Sequence, residues 1–526
     1  MQKVIDKISQ VGRNAIIIAA ASLASRFLGL FRDRVLASEF GAGHILDSYY
    51  AAFRIPDLIF NLLILGALSA ALIPVFSSIL FKDEKRAWQV LNNFLNIVLV
   101  FLIGTLFIIF VGAPLFVKII TPGFSGEQLT NTILLTRIML LSPLLFAFSS
   151  VIGGVLNSFG RFFVYSLAPI LYNLGIICGA LYLVPIWGLS GLAWGVVFGA
   201  MAHLLVQLPT FIRVGFRPMK IFNLKDPDFR RMIYLMLPVT LGLAATQINF
   251  LIDNIIGSTL QEGSIAVFNL ANNIAGFPVG LVGISFAVSC FPLLSYAYNH
   301  QKHKVFSDSF TKTFNLIVYL MVPAMVFALI LRAQIVRILL GAGLFSVTNT
   351  IWTSRTLGYF AMGLIAQGLI PFLVRSFYAT SNTRTPVKIA FLAVAANIIF
   401  SILFTKVFDF KVAGLAISST IAAFVNLFFL LVCLKERFTF INFNTILLAT
   451  AKYFVFSIIA GLMIYKGLYW MEPYVDTLTT IGLAIQTGIA ALVGVFSYLL
   501  LSALFKSSEA ERLLNVFNVV FRGGKK

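Results

Sequence analysis

Apolar runs of twenty residues and more recur along the whole chain, and no polar stretch between them is long enough to fold as a separate aqueous domain. A helix that crosses a bilayer needs about 20 such residues. Of the 526 residues, 60% are hydrophobic and 11% charged, with mean hydropathy +0.96. A soluble domain is nearer half apolar and a quarter charged. The solvent is therefore lipid. At roughly 35 to 40 residues per span with its loop, the chain holds about fourteen helical spans. The expected fold is an all-α polytopic membrane protein.

The runs place spans at 14–38, 46–80, 88–117, 129–157, 162–184, 189–212, 231–259, 264–298, 310–332, 350–378, 385–407, 412–434, 446–468 and 477–505. Segments 46–80 and 264–298 exceed one bilayer thickness and are expected to tilt, bend or project. The basic start, MQKVIDKISQVGRN, leads into a first span rather than a cleaved signal, since the apolar run after it is long and many more spans follow. Alternate loops are basic: KDEKR at 82–86, the Arg213 to Arg231 stretch, HQKHK at 300–304 and KER at 435–437. Intervening loops such as 121–128, 260–264 and 471–476 are poor in cations, with Arg332, Arg337, Lys406 and Lys411 as exceptions. The basic set faces the cytoplasm, and an even span count puts both termini there. Topology thus accounts for the net charge of +20. A nucleic-acid surface would need a basic groove with aromatic platforms outside the bilayer, for which there is no room.

An internal repeat divides the chain. Gly160-Arg161 and Gly191-Leu192-Ala193 recur 223 residues later as Thr383-Arg384 and Gly414-Leu415-Ala416. IPVFSS at 73–78 recurs 218 residues later as FPLLSY at 291–296. Six spans per repeat is even, so two lobes share orientation as a parallel repeat about the membrane normal. The expected division is a six-helix lobe over 1–220, a second over 221–440, and two additional spans with a cytoplasmic amphipathic tail over 441–526.

Ionisable groups at bilayer depth mark where chemistry can occur, because each costs several kcal/mol and faces a wet cavity or a partner. In the first span, Arg26 and Asp33 are seven residues apart and nearly share a face, while Arg32 is rotated by about 120°. Arg26, Arg32 and Asp33 can border a broad cavity. Alternatively, Arg26 and Asp33 form a buried packing pair while Arg32 and Arg34 snorkel outward. Arg54 lies roughly 12 Å into the second span, beside Ile55-Pro56, which should kink that helix. Guanidinium groups grip phosphate in a bidentate way and keep their charge in low dielectric. Arg54 also fits a structural pair with Asp47 or Asp57. Asp253 is a candidate site for ion coupling, with Asn397 and Thr420 as further oxygen ligands; an outer, solvated position fits it equally. Asn272 and Asn273 precede a bend at Gly276-Phe277-Pro278, where amides line a polar cavity or join helices. The 53 phenylalanines are expected as lipid-facing bulk.

Enzyme motifs are absent: there is no Walker loop, H-E-x-x-H or nucleophile elbow. His44, His203, His300 and His303 sit mostly near loops and form no metal set. Cys178, Cys290 and Cys433 form no C-x-x-C and are expected as core residues. No cofactor or metal is expected beyond coupling to a monovalent cation or the membrane potential.

SRFLGLFRD (25–33) followed by FGAGHILDSYYAAFRIPDL (40–58) resembles the MurJ/MviN family of lipid II flippases. Further segments that resemble it are 153–173, 191–200, 208–218, 249–273 and 377–390, in order over nearly the first 440 residues. The resemblance implies a MOP-superfamily fold and export of an undecaprenyl-pyrophosphate-linked peptidoglycan precursor across the cytoplasmic membrane. It implies membrane lipids and cell-wall synthesis proteins as partners, and no nucleic acid. Arg26, Arg32 and Asp33 match the first-span motif, and Arg54 matches a basic position of the second. Phe60-Asn61 and Leu65-Gly66 stand where that family commonly has Arg-Arg and Glu-Gly, and Asn272-Asn273 where an Asp-Arg pair is frequent. The substrate-contacting set expected here is Arg26, Arg32, Asp33, Arg54, Asn61, Asn272 and Asn273. An exporter of another lipid-linked oligosaccharide or of drugs, and a non-transporting scaffold, also fit the fold. Arginines rather than acids in the cavity count against the drug exporter.

Overall fold

A computed structural model describes residues 2–65 and 72–512, with the side chains of 2–19, 63–65, 162, 238 and 239 left aside. Among the described residues the chain is helical, with no strand. Among these residues, ten helices are long and apolar enough to cross a membrane, or twelve when each of two bent pairs is one span. These twelve coincide with twelve of the fourteen expected spans. The other two, 14–38 and 46–80, each run into residues left aside or outside those described, so the count of fourteen is not reached among the described residues.

Two compact units divide the chain, one over 1–266 and 342–346, the other over 267–341 and 347–526. In the first, the helices are α1 (Gln2–Phe40), α2 (His44–Ile59), α3 (Ile73–Leu80), α4 (Glu84–Ile120), α5 (Gly126–Met139), α6 (Leu141–Ser158), α7 (Phe162–Cys178), α8 (Val184–Trp187), α9 (Ser190–Leu205), α10 (Leu208–Arg213) and α11 (Pro227–Ser258). In the second they are α12 (Ser264–Pro278), which begins in the first unit, α13 (Ser285–Asn299), α14 (His303–Ile330), α15 (Arg332–Leu340), α16 (Val347–Met362), α17 (Leu364–Tyr378), α18 (Arg384–Ile402), α19 (Lys411–Arg437), α20 (Phe443–Met471) and α21 (Thr480–Leu504).

The repeat seen in sequence reappears as matched irregularities. α2 runs into a π-helical turn at Phe60–Leu65, and α12 into one at Val279–Ile284, 219 residues on. A second pair, Gly179–Leu183 and Leu403–Val407, lies 224 apart. The α5/α6 break falls at Leu140 and the α16/α17 break at Gly363, 223 apart. Both segments expected to exceed the bilayer thus carry a π turn, the kind of irregularity at which helices kink.

The Arg213 to Arg231 stretch, a basic loop in the sequence, is laid along α4. The Asn92 amide accepts from the Met219 N–H at 2.8 Å and donates to the Arg217 carbonyl at 3.1 Å. Asn93 does the same with both main-chain groups of Asn223, and Asn96 donates to the Met219 and Ile221 carbonyls. Arg86 then forks onto Asp226 and Asp228, at 2.8 and 2.7 Å, where Asp226 caps α11. Trp88 packs among Phe76, Phe159, Phe211 and Phe216 beneath it. Farther along, Asn254 on α11 donates to the Ile120 carbonyl. The compact unit therefore extends beyond 220 to include α11. Compactness and the repeat are different quantities, and the first does not set the bounds of the second.

Asp47, 2% exposed, accepts the N–H groups of Gly263 and Ala266, each at 2.7 Å. Gly263 adopts φ +84°, and a Cβ there would meet the Ala42 carbonyl at 2.2 Å. On the same loop, the N–H and ring of His44 hold the Glu262 carboxyl below its ordinary range.

Within the second unit, α18 packs on α19, and α20 on both α14 and α21. The Tyr498 hydroxyl donates to the Tyr319 carbonyl at 2.8 Å, and the Tyr453 hydroxyl donates to the buried Glu509 carboxylate. The amphipathic tail expected after 505 lies outside the described residues beyond Arg512.

α7 and α9 cross in backbone contact. A Cβ on Gly195 would lie 2.5 Å from the Gly179 Cα, and one on Gly175 would lie 2.3 Å from the Gly199 Cα. GIICG (175–179) and GVVFG (195–199) thus form a paired small-residue seam, the means by which apolar helices associate in lipid. Gly195→Ala should destabilise the fold by roughly 1–3 kcal/mol through overpacking. Gly104→Ala, whose Cβ meets nothing within 4 Å, should be neutral or stabilising. Thermal unfolding in detergent checks this, and equal effects of the two changes would contradict the crossing.

Candidate functional site

The charged motif of α1 is built into the first unit by α7. Asp33, 2% exposed, accepts from Arg32 Nε at 3.1 Å and from Nη2 at 2.8 Å. Arg32 Nη1 donates to Asn173 Oδ1 on α7 at 3.1 Å. Three of the five guanidinium N–H groups are thereby used. Asn173 in turn donates to the Pro169 carbonyl at 3.0 Å. The pairing of Arg26 with Asp33 considered from sequence is not the one formed: adjacency in sequence brings Arg32 to Asp33, and α7 turns the guanidinium inward. Arg26 is half-buried and makes no hydrogen bond or ion pair among the described residues.

Arg54 on α2 is held against α11. Its guanidinium carbon lies 5.3 Å from the centre of the Phe250 ring, a cation–π contact. Asp57 and Asp253 are the carboxylates that act on it. Asp47 is occupied by main-chain N–H groups of the 263–266 loop, so Asp57 is the acid beside Arg54 on α2, three residues on. Asp253, 3% exposed, thus has a cation as neighbour, and any coupling ion would compete with that arginine for the carboxylate.

The second-unit candidates are placed as follows. Asn272 and Asn273 are half-buried on α12, ahead of the π turn at Val279. Asn397 on α18 is fully buried. Thr420 on α19 donates its hydroxyl to the Tyr359 carbonyl at 2.8 Å.

Asp57 and Asn61 line an open cavity of about 330 Å³ bordered by α2, α6, α7 and α9. Facing them are Phe60, Phe146, Tyr172 and His203. Asn61 donates back to the Asp57 carbonyl at 2.7 Å. Three prolines, Pro56, Pro143 and Pro169, also line it, one from each of three helices. A helical proline leaves a carbonyl four residues back without its donor; behind Pro143 the Ser142 hydroxyl bonds that carbonyl, of Met139, at 2.7 Å. His203 is fixed by Ser149, whose hydroxyl meets its Nδ1, and Gln207 donates to the same hydroxyl at 2.6 Å. Tyr172, Asn173 and His203 were not singled out as site residues from sequence. Pro169 on α7 is the signal that could have pointed to Tyr172 and Asn173; α9, which carries His203, holds no proline.

This geometry gives a layer of fixed charge in α1 and α2, with Arg26 unengaged among the described residues, and a polar, aromatic-walled cavity beside them. The family profile described as "Lipid II flippase MurJ" matches residues 36–485. A probable lipid II flippase MurJ of Vibrio cholerae serotype O1 is 30% identical over 433 residues, covering 79% of this chain and 81% of that protein. One from Rhizobium tropici is 29% identical over 491 residues, covering 91% and 90%. Among solved structures, a lipid II flippase MurJ in an inward closed conformation superposes with TM-score 0.77 at 25% identity, covering 93% of this chain and 98% of that one. An inward-facing multidrug resistance MATE family transporter of the MOP superfamily gives 0.67 at 15% identity, covering 79% and 94%. The latter likeness concerns the fold alone.

Breaking the α1 pair should be severe. Asp33→Ala leaves the Arg32 charge uncompensated and should cost roughly 3–5 kcal/mol. Adding Arg32→Leu should recover much of that loss. Thermal melts of the two variants decide it: a double variant no more stable than Asp33→Ala would show that the pair does not carry the effect.

Proposed function

The chain belongs to the MurJ family of lipid II flippases, and on that premise we propose that it carries the lipid-linked peptidoglycan precursor from the cytoplasmic to the outer leaflet by alternating access, with arginines of its first unit holding the pyrophosphate. It is a multi-pass membrane protein, and the family's function is transport rather than enzymatic conversion. The undecaprenyl-pyrophosphate-linked precursor is its substrate, and membrane lipids are the medium of the lipid tail.

Arg26 carries the reading of the site. It stands in an apolar helix, half-buried, with no hydrogen bond or ion pair among the described residues. A guanidinium in that position is stabilised by an anion that enters, and pyrophosphate matches its fork of donors. Arg32 has most of its donors committed to Asp33 and Asn173, so its contribution is the field it adds and the position it fixes. Arg54 contributes charge from α2, with Asp57 and Asp253 keeping it in place. Asn61, Asn272 and Asn273 provide neutral polar contacts for a headgroup.

Loop charges support an inner-membrane topology with both termini cytoplasmic. The parallel repeat, with its matched π turns, supports two lobes over 1–220 and 221–440 and two further spans over 441–526. Asp253, Asn397 and Thr420 are proposed as coupling residues for a monovalent cation. The membrane potential is the alternative source of energy, worth about 2.3 kcal/mol per charge per 100 mV. Export of another lipid-linked oligosaccharide is the less favoured reading, because the relatives found across most of the chain are described as lipid II flippases.

In proteoliposomes loaded with fluorescent lipid II, Arg26→Ala combined with Arg54→Ala should slow flipping by at least roughly tenfold, the effect of losing one charge-assisted contact. Unchanged flipping would remove the arginines from the phosphate role.

A further inference from the structure

The cavity lined by Asp57 differs in chemistry from the arginine layer beside it. Besides the Ser142 hydroxyl, which is spent on the Met139 carbonyl, its polar groups are a carboxylate, the Asn61 amide, the Ser150 hydroxyl, the Tyr172 phenol and the His203 imidazole. Neither the Asp57 carboxylate nor the Tyr172 hydroxyl makes a hydrogen bond among the described residues. The His203 ring spends Nδ1 on Ser149, and its Nε2 makes no hydrogen bond among the described residues. Asn61 keeps its carbonyl oxygen and one N–H after bonding back to its own helix.

The walls are aromatic. Phe146 sits at the centre, with ring centroids 5.3 Å from Phe60, 4.9 Å from Tyr172 and 5.3 Å from His203. Arg32 and Arg54 are the cations that act on Asp57. A ligand seated here therefore lies beside groups that attract a phosphate.

Four classes of occupant can be weighed. Phosphate is disfavoured, since the carboxylate repels it. A lipid tail would strand five polar groups without partners. A single alkali ion needs oxygens converging at short range. It would leave most of about 330 Å³ to water, room for roughly ten molecules at about 30 Å³ each. A hydroxylated ring satisfies all the features together. Its hydroxyls donate to the carboxylate and accept from the phenol and amide, its faces lie on aromatic rings, and one ring fills a site at the small end of ligand pockets.

We propose that the cavity between α2, α6, α7 and α9 receives a hexose ring of the headgroup, Asp57 accepting its hydroxyls while the attached pyrophosphate rests on the neighbouring arginines. This deepens the flippase reading and rests on it. The cavity then supplies headgroup specificity, and the arginine layer supplies affinity common to all pyrophosphate lipids.

The test compares ligands on the full chain in nanodiscs: undecaprenyl pyrophosphate, the same lipid carrying one N-acetylhexosamine, and the same lipid carrying the sugar-peptide headgroup. Wild-type protein should bind the one-sugar lipid roughly tenfold tighter than the bare lipid, the gain of a hydrogen bond to a charged group. In Asp57→Asn and Tyr172→Phe that ratio should fall toward one, while Arg26→Ala should weaken all three lipids alike. Three results overturn the proposal: a wild-type ratio near one, a ratio untouched in both cavity variants, or a gain confined to the peptide-bearing lipid. The last would assign the cavity to an ammonium group. A saturation-transfer experiment with free N-acetylglucosamine separates this from the parent reading. Contact present in wild type and lost in Asp57→Asn supports the ring site even if no pyrophosphate lipid binds, a result that would refute the flippase reading instead. Absence of contact together with a flat ratio refutes the ring site alone.

Discussion

A carboxylate that is 2% exposed within an apolar helix must be neutralised by something close, and for Asp33 that is the residue before it. The Arg32–Asp33 pair by itself could turn anywhere around α1. Asn173 fixes it by taking the third guanidinium bond, which joins α1 to α7. α7 is in turn locked to α9 through the Gly175, Gly179, Gly195 and Gly199 seam. From α7 and α9 come Tyr172 and His203, which close the cavity against Asp57. The charged motif, the glycine crossing and the cavity are thus successive links, and none is placed without the one before.

The arginines fall into different roles once their partners are known. Arg32 is committed, Arg54 is shared between an aromatic ring and two carboxylates, and Arg26 makes no hydrogen bond or ion pair among the described residues. Counting cations at bilayer depth does not distinguish these states. A buried ion pair contributes little net stability but a large penalty when broken on one side, so Arg32 and Asp33 can be indispensable without touching substrate.

Much of the fold was legible in the sequence because lipid leaves few options. Twelve of the expected spans appear as helices of suitable length, and the repeat offsets of 218 and 223 reappear as π-turn pairs 219 and 224 apart. The candidate site was legible only in part. Arg26, Arg32, Asp33 and Arg54 announce themselves as charges in apolar runs. Tyr172, Asn173 and His203 do not, since a Tyr, an Asn or a His in a span is common as a helix-joining group and gains its meaning from its neighbours. The Asn92, Asn93 and Asn96 ladder is a similar case. Amides at the start of a span read as tolerated polarity until the 217–223 backbone is found bonded to them. Contacts between distant stretches decide these roles, and periodicity cannot see them.

The central claim is that this chain moves a lipid-linked pyrophosphate across the inner membrane. Expression of the chain in a bacterium depleted of its own flippase tests it most directly, with the outer-leaflet pool of lipid II measured by an impermeant label. The account predicts restored growth together with a return of labelled lipid II toward the undepleted level. Stable, membrane-inserted protein with no growth and no labelled lipid II outside would contradict it.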